Sequence, residues 1–201
     1  EGTDSLFKRT RLNSLYYWVL AACSLSKTAN IVELGCWRGH SAYMILQAMK
    51  EGESAGKLFI FDSFEGGLSS KTEEDFYLGN RPNQKSVSFE AKIFASTEVG
   101  LHEALRGFSN YLTFAGWIPD RFQEVADQEF CLIHIDVDLY EPIMQSLEFF
   151  YSRLVEGGMI VVDDYGYSQF PGAKRAVDDF LVNHPVKVFV PCTIGGCLII
   201  K

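Results

Sequence analysis

The sequence has no apolar run of the ~18 residues that a membrane span requires. Its longest candidate, Leu15 to Leu25, is too short and carries polar groups. It has no basic stripe either. Acidic residues number 26 against 18 basic ones, a formal charge of −8, and the densest cationic stretch is Lys8-Arg9-Thr10-Arg11, which reads as a solvated end. Phosphate neutralisation dominates nucleic-acid affinity, so neither nucleic acid nor a membrane is expected as a partner. Prolines are few, 6 in 201 residues, which excludes a collagen-like or linker chain, and 47% hydrophobic content excludes a disordered one. No Cys-x-x-Cys occurs. The five cysteines, at 23, 36, 131, 192 and 197, are odd in number and three lie in apolar segments. They fit buried reduced thiols in a cytoplasmic protein rather than a disulfide framework or a zinc site. A basic-then-apolar leader is not visible. Also missing are a Gly-x-Ser-x-Gly elbow and a Gly-x-Gly-x-x-Gly fingerprint, so a serine hydrolase and a nicotinamide dehydrogenase lack their signatures.

What remains suits one compact domain spanning 1–201. Apolar residues at 12, 15, 16, 19, 20 and 23 predict an amphipathic helix over Thr10–Ser24, within a helical lead-in covering 1–28. A short apolar run, Asn30–Leu34, stops at a glycine turn; a helical pattern follows over Ser41–Met49, then a strand over Lys57–Phe61. Strand, turn, helix, strand is a βαβ unit. Further strands are predicted at Tyr111–Ala115 and Cys131–Ile135, with a helical stretch around Arg121–Val125 between them. Tyr140–Leu154 reads as a helix ended by Gly157-Gly158, and Met159–Val162 as a buried strand. A helix over Ala173–Asn183 and strands at Val186–Pro191 and Cys197–Ile200 close the chain. The expected fold is α/β: a doubly wound, mostly parallel sheet with an antiparallel C-terminal hairpin at one edge. Residues 66–110 are polar and rich in Gly and Ser, too long for a passive loop. They read as a lid or insertion, with Glu98–Leu105 as the crossover helix.

In such a sheet, ligands sit beyond the carboxyl ends of the strands, at the switch in strand order. The first strand leaves through Glu33-Leu34-Gly35-Cys36-Trp37-Arg38-Gly39-His40-Ser41, where Gly35 and Gly39 allow a tight turn beside free helix N–H groups. The second leaves through Asp62, placed to accept hydrogen bonds from a ribose. Together they point to an adenosine-containing cofactor, which the rings of Trp37 and Trp117 could border. His134-Ile135-Asp136-Val137-Asp138 leaves a later strand and Asp163-Asp164 the next. If those strands are neighbours, Asp136, Asp163 and Asp164 converge, and mutual repulsion calls for a hard cation: Mg²⁺ first, with Mn²⁺ or Ca²⁺ as alternatives. The competing reading makes them separate devices, Asp136 or Asp138 capping the following helix and Asp163-Asp164 opening a turn. His134 shares a face with Asp136 and Asp138; it reads as a structural histidine with a base as the alternative, and His102 and His184 as surface residues.

Several blocks resemble the macrocin O-methyltransferase family. They are Val32 to Ser41, Asp62-Ser63-Phe64-Glu65-Gly66, Gly116-Trp117-Ile118-Pro119, His134 to Glu141, Gly157 to Tyr165 and Pro171 to Val177. They run in the family's order over about residues 30–180. The resemblance implies a class I methyltransferase, Rossmann-like, using S-adenosylmethionine and Mg²⁺ on a hydroxyl of a sugar or polyketide-like natural product. It also implies that Asp136, Asp163 and Asp164 bind the metal. Asp62, with Ser63 beside it, would hold the ribose; Glu33, Gly35, Trp37, Gly39 and Ser41 would hold the methionine part; Gly116 and Trp117 would border the adenine. Asp136 is the expected proton acceptor. Trp37 stands where many class I methyltransferases carry a glycine, and the short lead-in leaves open a homodimer or a domain of a larger synthase. The rival readings are a nucleotide-sugar transferase using Asp136-Val137-Asp138 and a non-catalytic cofactor-binding module.

Overall fold

The computed structural model describes residues 6–65, 67–77, 93–192 and 195–201. Seven strands form one sheet in the order β3-β2-β1-β4-β5-β7-β6. They are β1 (Asn30–Leu34), β2 (Leu58–Asp62), β3 (Tyr111–Ala115), β4 (Phe130–Ile135), β5 (Leu154–Val162), β6 (Val188–Pro191) and β7 (Cys197–Ile200). The first five are parallel; β7 runs antiparallel to β5, and β6 antiparallel to β7 at the edge. Strand order reverses at β1/β4, which is where a doubly wound sheet opens its ligand crevice. Both expectations, a mainly parallel sheet and an antiparallel C-terminal hairpin, hold.

Helices α1 (Leu6–Leu25), α2 (His40–Glu51), α3 (Glu98–Ala104), α4 (Tyr140–Tyr151) and α5 (Pro171–Asn183) cover the two faces. Because side chains alternate along a strand, each buried strand feeds two cores. Val32, Leu34, Ile133, Ile135 and Val162 join the core under α4 and α5, built largely of stacked and edge-on phenylalanines. Ile31, Ile60, Leu132 and Val161 join the core under α1 and α2. All five cysteines are free thiols, and burial pushes Cys131 up to about 12, so it packs as a small apolar group. Among the described residues no helix is long and apolar enough to cross a membrane.

Two expectations change. The helix after β4 stops at Tyr151, and Gly157-Gly158 lie inside β5 rather than ending a helix. They form a bulge: Phe130 faces Leu154, yet Leu132 already faces Met159, and Gly157 takes φ +75°. The stretch around Arg121–Val125 is a single 3₁₀ segment, Phe122–Val125, not an α-helix. Of the lid expected over 66–110, residues 66 and 78–92 lie outside the described residues. The flanks carry a 3₁₀ turn (Glu73–Asp75) and α3.

Phe150 sits at the centre of the phenylalanine core, fully buried, with ring centroids 4.9 Å from Phe122, 5.4 Å from Phe130 and 6.0 Å from Phe61. Phe150→Ala is expected to lower the unfolding free energy by about 3–5 kcal/mol, measured by urea denaturation. A loss within about 1 kcal/mol, the range of volume-conserving swaps, would show that this cluster does not hold the sheet.

Candidate active site

The turn after β1 is shaped by close backbone approach. Gly35 has φ +83°, and a Cβ there would lie 2.0 Å from the Asp136 carbonyl oxygen. No side chain fits, so β1 and β4 exit in contact, joined by the Asp136 N–H donating to Leu34 O at 2.8 Å. Trp37 also has positive φ, +46°. What holds this strained turn is Asp62. Its Oδ2 accepts the Cys36 and Trp37 amides, both at 2.9 Å, and Oδ1 accepts the Phe64 amide at 3.0 Å and the Ser96 hydroxyl at 3.4 Å. The carboxylate read as a ribose acceptor is thus already occupied as a clasp between the exits of β1 and β2.

Two cavities open above the sheet. The first is lined by Gly35, Trp37, Asp62, Ser63, Gly116 and Trp117, among others. The second, the roomier of the two, takes in Arg11, His40, Ser41, His134, Asp163 and Asp164. They share Trp37, Phe94, Asp136 and Asp138 as a common wall. Glu33 and Gly39, expected in the cofactor set, line neither. Trp37 Nε1 is buried without a partner, an N–H that a ligand in the crevice would satisfy. With Gly35 and Gly116 exposing backbone beside it, the first cavity fits an elongated nucleoside cofactor.

At the floor of the second cavity β4 and β5 are neighbours, the Asp163 amide donating to Ile135 O at 2.9 Å. Asp136 belongs to two clusters there. A carboxylate oxygen of Asp136 lies within 4.8 Å of a ring nitrogen of His134 and an oxygen of Asp163 in one, and of oxygens of Asp138 and Asp164 in the other. The expected trio is therefore split: Asp163 and Asp164 each meet Asp136, in different company. Asp138 is buried at φ +62°. Desolvation, then the charge of Asp136, pushes its carboxyl up; desolvation, then Asp138 and Asp136, pushes Asp164 up. Arg11 of α1 forms an ion pair with Asp163. Asp164 Oδ2 is buried with no hydrogen-bond partner. Crowded oxygen donors, one of them orphaned, fit a hard divalent cation. The capping alternative fails for Asp138: α4 has no side-chain cap from its own N-cap residue, and Asp75 Oδ1 accepts the Tyr140 amide at 2.8 Å instead.

Sequence reasoning missed several residues here. Arg11, read as part of a solvated end, turns inward, and Lys8 lines the same cavity. The signal was available: 8, 11 and 15 fall on one helical face, and Leu15 is buried. Phe94, which packs against both Trp37 and Phe170, carried no signal.

The profile of the Macrocin-O-methyltransferase (TylF) family matches residues 4–191. The chain belongs to this family. It is 27% identical over 176 residues to an enzyme of Streptomyces olivaceus named 8-demethyl-8-(2,3-dimethoxy-alpha-L-rhamnosyl)-tetracenomycin-C 4'-O-methyltransferase, covering 85% of this chain and 64% of that protein. It is 27% identical over 159 residues to the demethyldecarbamoylnovobiocin O-methyltransferase of Streptomyces niveus, covering 75% and 57%. The chain thus spans about three fifths of the length of these curated relatives. Among solved structures, the O-methyltransferase NovP superposes with a TM-score of 0.76 at 22% identity, over 95% of this chain and 79% of that one. The fold is that of the class I methyltransferases. Each of these relatives is named a methyltransferase, and none a nucleotide-sugar transferase.

Asp62→Ala would leave the Cys36 and Trp37 amides unpaired in a turn already at positive φ. Its expected cost is at least about 2 kcal/mol, read as a lowered melting temperature together with faster hydrogen exchange at those two amides. Unchanged exchange there would refute the clasp.

Proposed function

We propose that this chain is the catalytic domain of an S-adenosylmethionine-dependent, divalent-metal-dependent O-methyltransferase that methylates a sugar hydroxyl of a natural product. The observation that carries the proposal is the shared wall of the two cavities. A donor in the first and an acceptor in the second would meet beside Asp136 and Asp138. When bound, S-adenosylmethionine supplies an electrophilic methyl group, and a divalent cation lowers the cost of negative charge developing on the acceptor oxygen.

The residues divide the work. The Gly35 to Ser41 turn and the Trp37 indole N–H cradle the methionine part, with the first amides of α2 suited to its carboxylate. Gly116 and Trp117 border the adenine. Ser63 and Asp62 face the ribose, one hydroxyl of which would take over the long bond now made by Ser96. Asp136 would hold the cation, with Asp163 in the one cluster or Asp164 in the other, so the expected trio serves through Asp136 and not as one set. Asp136 was also expected to accept the proton, but a carboxylate common to both clusters is a ligand whichever one is filled, and a ligated carboxylate is a weak base. Asp138 is the better candidate for taking the acceptor's proton, provided the bound cation offsets the burial that pushes its carboxyl up. It lines both cavities and is buried at a positive φ that fixes its direction. The described flanks of the 66–110 segment contribute Phe94 and Leu68 to the lining of the first cavity. A sugar or natural-product acceptor is supported by the family and by the two relatives' names.

Two expectations follow from this division. Asp138→Asn should cut turnover by about 10²–10⁴-fold while S-adenosylmethionine and Mg²⁺ still bind by calorimetry, whereas Asp136→Asn should lose Mg²⁺ binding as well. Full turnover by Asp138→Asn would remove that residue from proton transfer. Treatment with a chelator should abolish methylation of a rhamnosylated acceptor, and added Mg²⁺ should restore it. A rate indifferent to the chelator would sink the metal-dependent reading.

A further inference from the structure

Helix α1 has no task in the division above. Its inner face runs through Leu15, which is buried, and Leu12, and both line the second cavity. One turn earlier the same face brings Lys8 to that cavity. The ammonium is held from two sides. Lys8 Nζ lies 3.1 Å from His40 Nδ1 and 5.5 Å from the centre of the Trp37 ring. An ammonium only donates, so the imidazole nitrogen is the acceptor. Arg38 lies over the same indole, its guanidinium carbon 4.6 Å from the ring centre.

These contacts gather positive charge at the start of α2, where the helix dipole is already positive. Gly39 gives α2 no side-chain cap, and its first turn holds no acidic residue. Partial burial, then the charges of Lys8 and Arg38, lowers the His40 imidazole below the usual histidine range. Two cations and a helix start around one indole repel one another, in a chain where acidic residues outnumber basic ones by 26 to 18. A cation–π contact explains one cation on a ring, not a second beside it. Trp37 Nε1, buried and without a partner, is an independent sign that a ligand belongs against this ring.

We propose that Lys8 binds the carboxylate of the cofactor's methionine part, which makes helix α1 a wall of the cofactor site. The inference rests on the S-adenosylmethionine part of the proposed function. His40 and Ser41 end the turn assigned to the methionine part, and both line the second cavity and not the first. The methionine end therefore belongs past Trp37, on the side of Lys8. Adenine, ribose and a sugar hydroxyl carry no negative charge to place among these cations; the carboxylate does. Its two oxygens can take a charge-assisted bond from the ammonium while the α2 amides serve the rest.

The test uses the full chain and calorimetric titration with S-adenosylmethionine and with its decarboxylated analogue, which keeps the sulfonium, the amine and the adenosine. The unaltered protein should prefer the carboxylate-bearing ligand by at least about tenfold, the range of a hydrogen bond to a charged group. Lys8→Met keeps an apolar stem against Trp37 and removes the charge. It should weaken S-adenosylmethionine by about tenfold and leave the analogue's affinity unchanged. Hydrogen exchange in the first turns of α1 should slow when S-adenosylmethionine binds and not when the analogue does. Equal loss of both ligands by Lys8→Met, or loss of neither, overturns the role of Lys8 and leaves the cofactor reading standing. Equal slowing of α1 by both ligands does the same, and it is read on the unaltered protein, so it decides even where the variant fails to fold. Binding of neither ligand by the unaltered protein overturns the cofactor reading as well.

Discussion

The exits of β4 and β5 hold four carboxylates and an imidazole whose ligand atoms fall into two clusters, each no more than 4.8 Å across. Two unit negative charges at that separation repel by about 3.5 kcal/mol at an effective dielectric constant of about 20. Asp138 and Asp164 are buried, so solvent relieves little of this. The chain answers with what it has. Arg11 reaches down from α1 to Asp163, burial pushes Asp138 and Asp164 toward their neutral forms, and one oxygen of Asp164 is left with nothing to bond. Each relieves part of a repulsion that the cation of the proposed function would relieve further.

Adjacency of β4 and β5 creates the cluster, and adjacency of β1 and β4 gives it a neighbour. Gly35 lets the β1 exit press against the Asp136 carbonyl, so the wall between the two cavities is backbone as much as side chain. Asp62 secures the other flank by gathering the Cys36 and Trp37 amides. A site held by main-chain contact at a strand switch is stiff, which is what bringing two reactants into line demands. Further out, Asp75 does the same for the helices behind the acidic floor. It caps α4 at Tyr140, and Gly172 at the start of α5 must lack a Cβ because one would lie 2.0 Å from Asp75 Oδ1.

Much of this was legible in the residues. The short apolar runs located at least part of each described strand, most fully β1, β2 and β4, because parallel strands buried on both faces leave little choice of composition. The acidic pairs at successive exits pointed to one cluster as soon as those strands were neighbours. What failed failed for physical reasons. Gly157-Gly158 read as a helix stop because glycine signals both a stop and a bulge, and only pairing with Phe130 and Leu132 tells them apart. The clasp that Asp62 makes went unread because its partners are main-chain amides, which the sequence does not display. Arg11 read as solvated because the direction of a helix face depends on what packs beneath it.

Asp138 and His134 show the same limit from the other side. Both sit in the strand-end pattern with Asp136, and alternation alone gives all three one face. Past Ile135 the strand is over, and the positive φ at Asp138 swings its side chain off that alternation toward Asp164. His134 is still within the strand, so it keeps the α1 side and meets Glu33 and Asp163. One residue of bend thus divides a single run of polar residues between two clusters, with Asp136 left at the joint. A period-two reading cannot anticipate that division, because it comes from where the sheet ends and not from which residues follow one another.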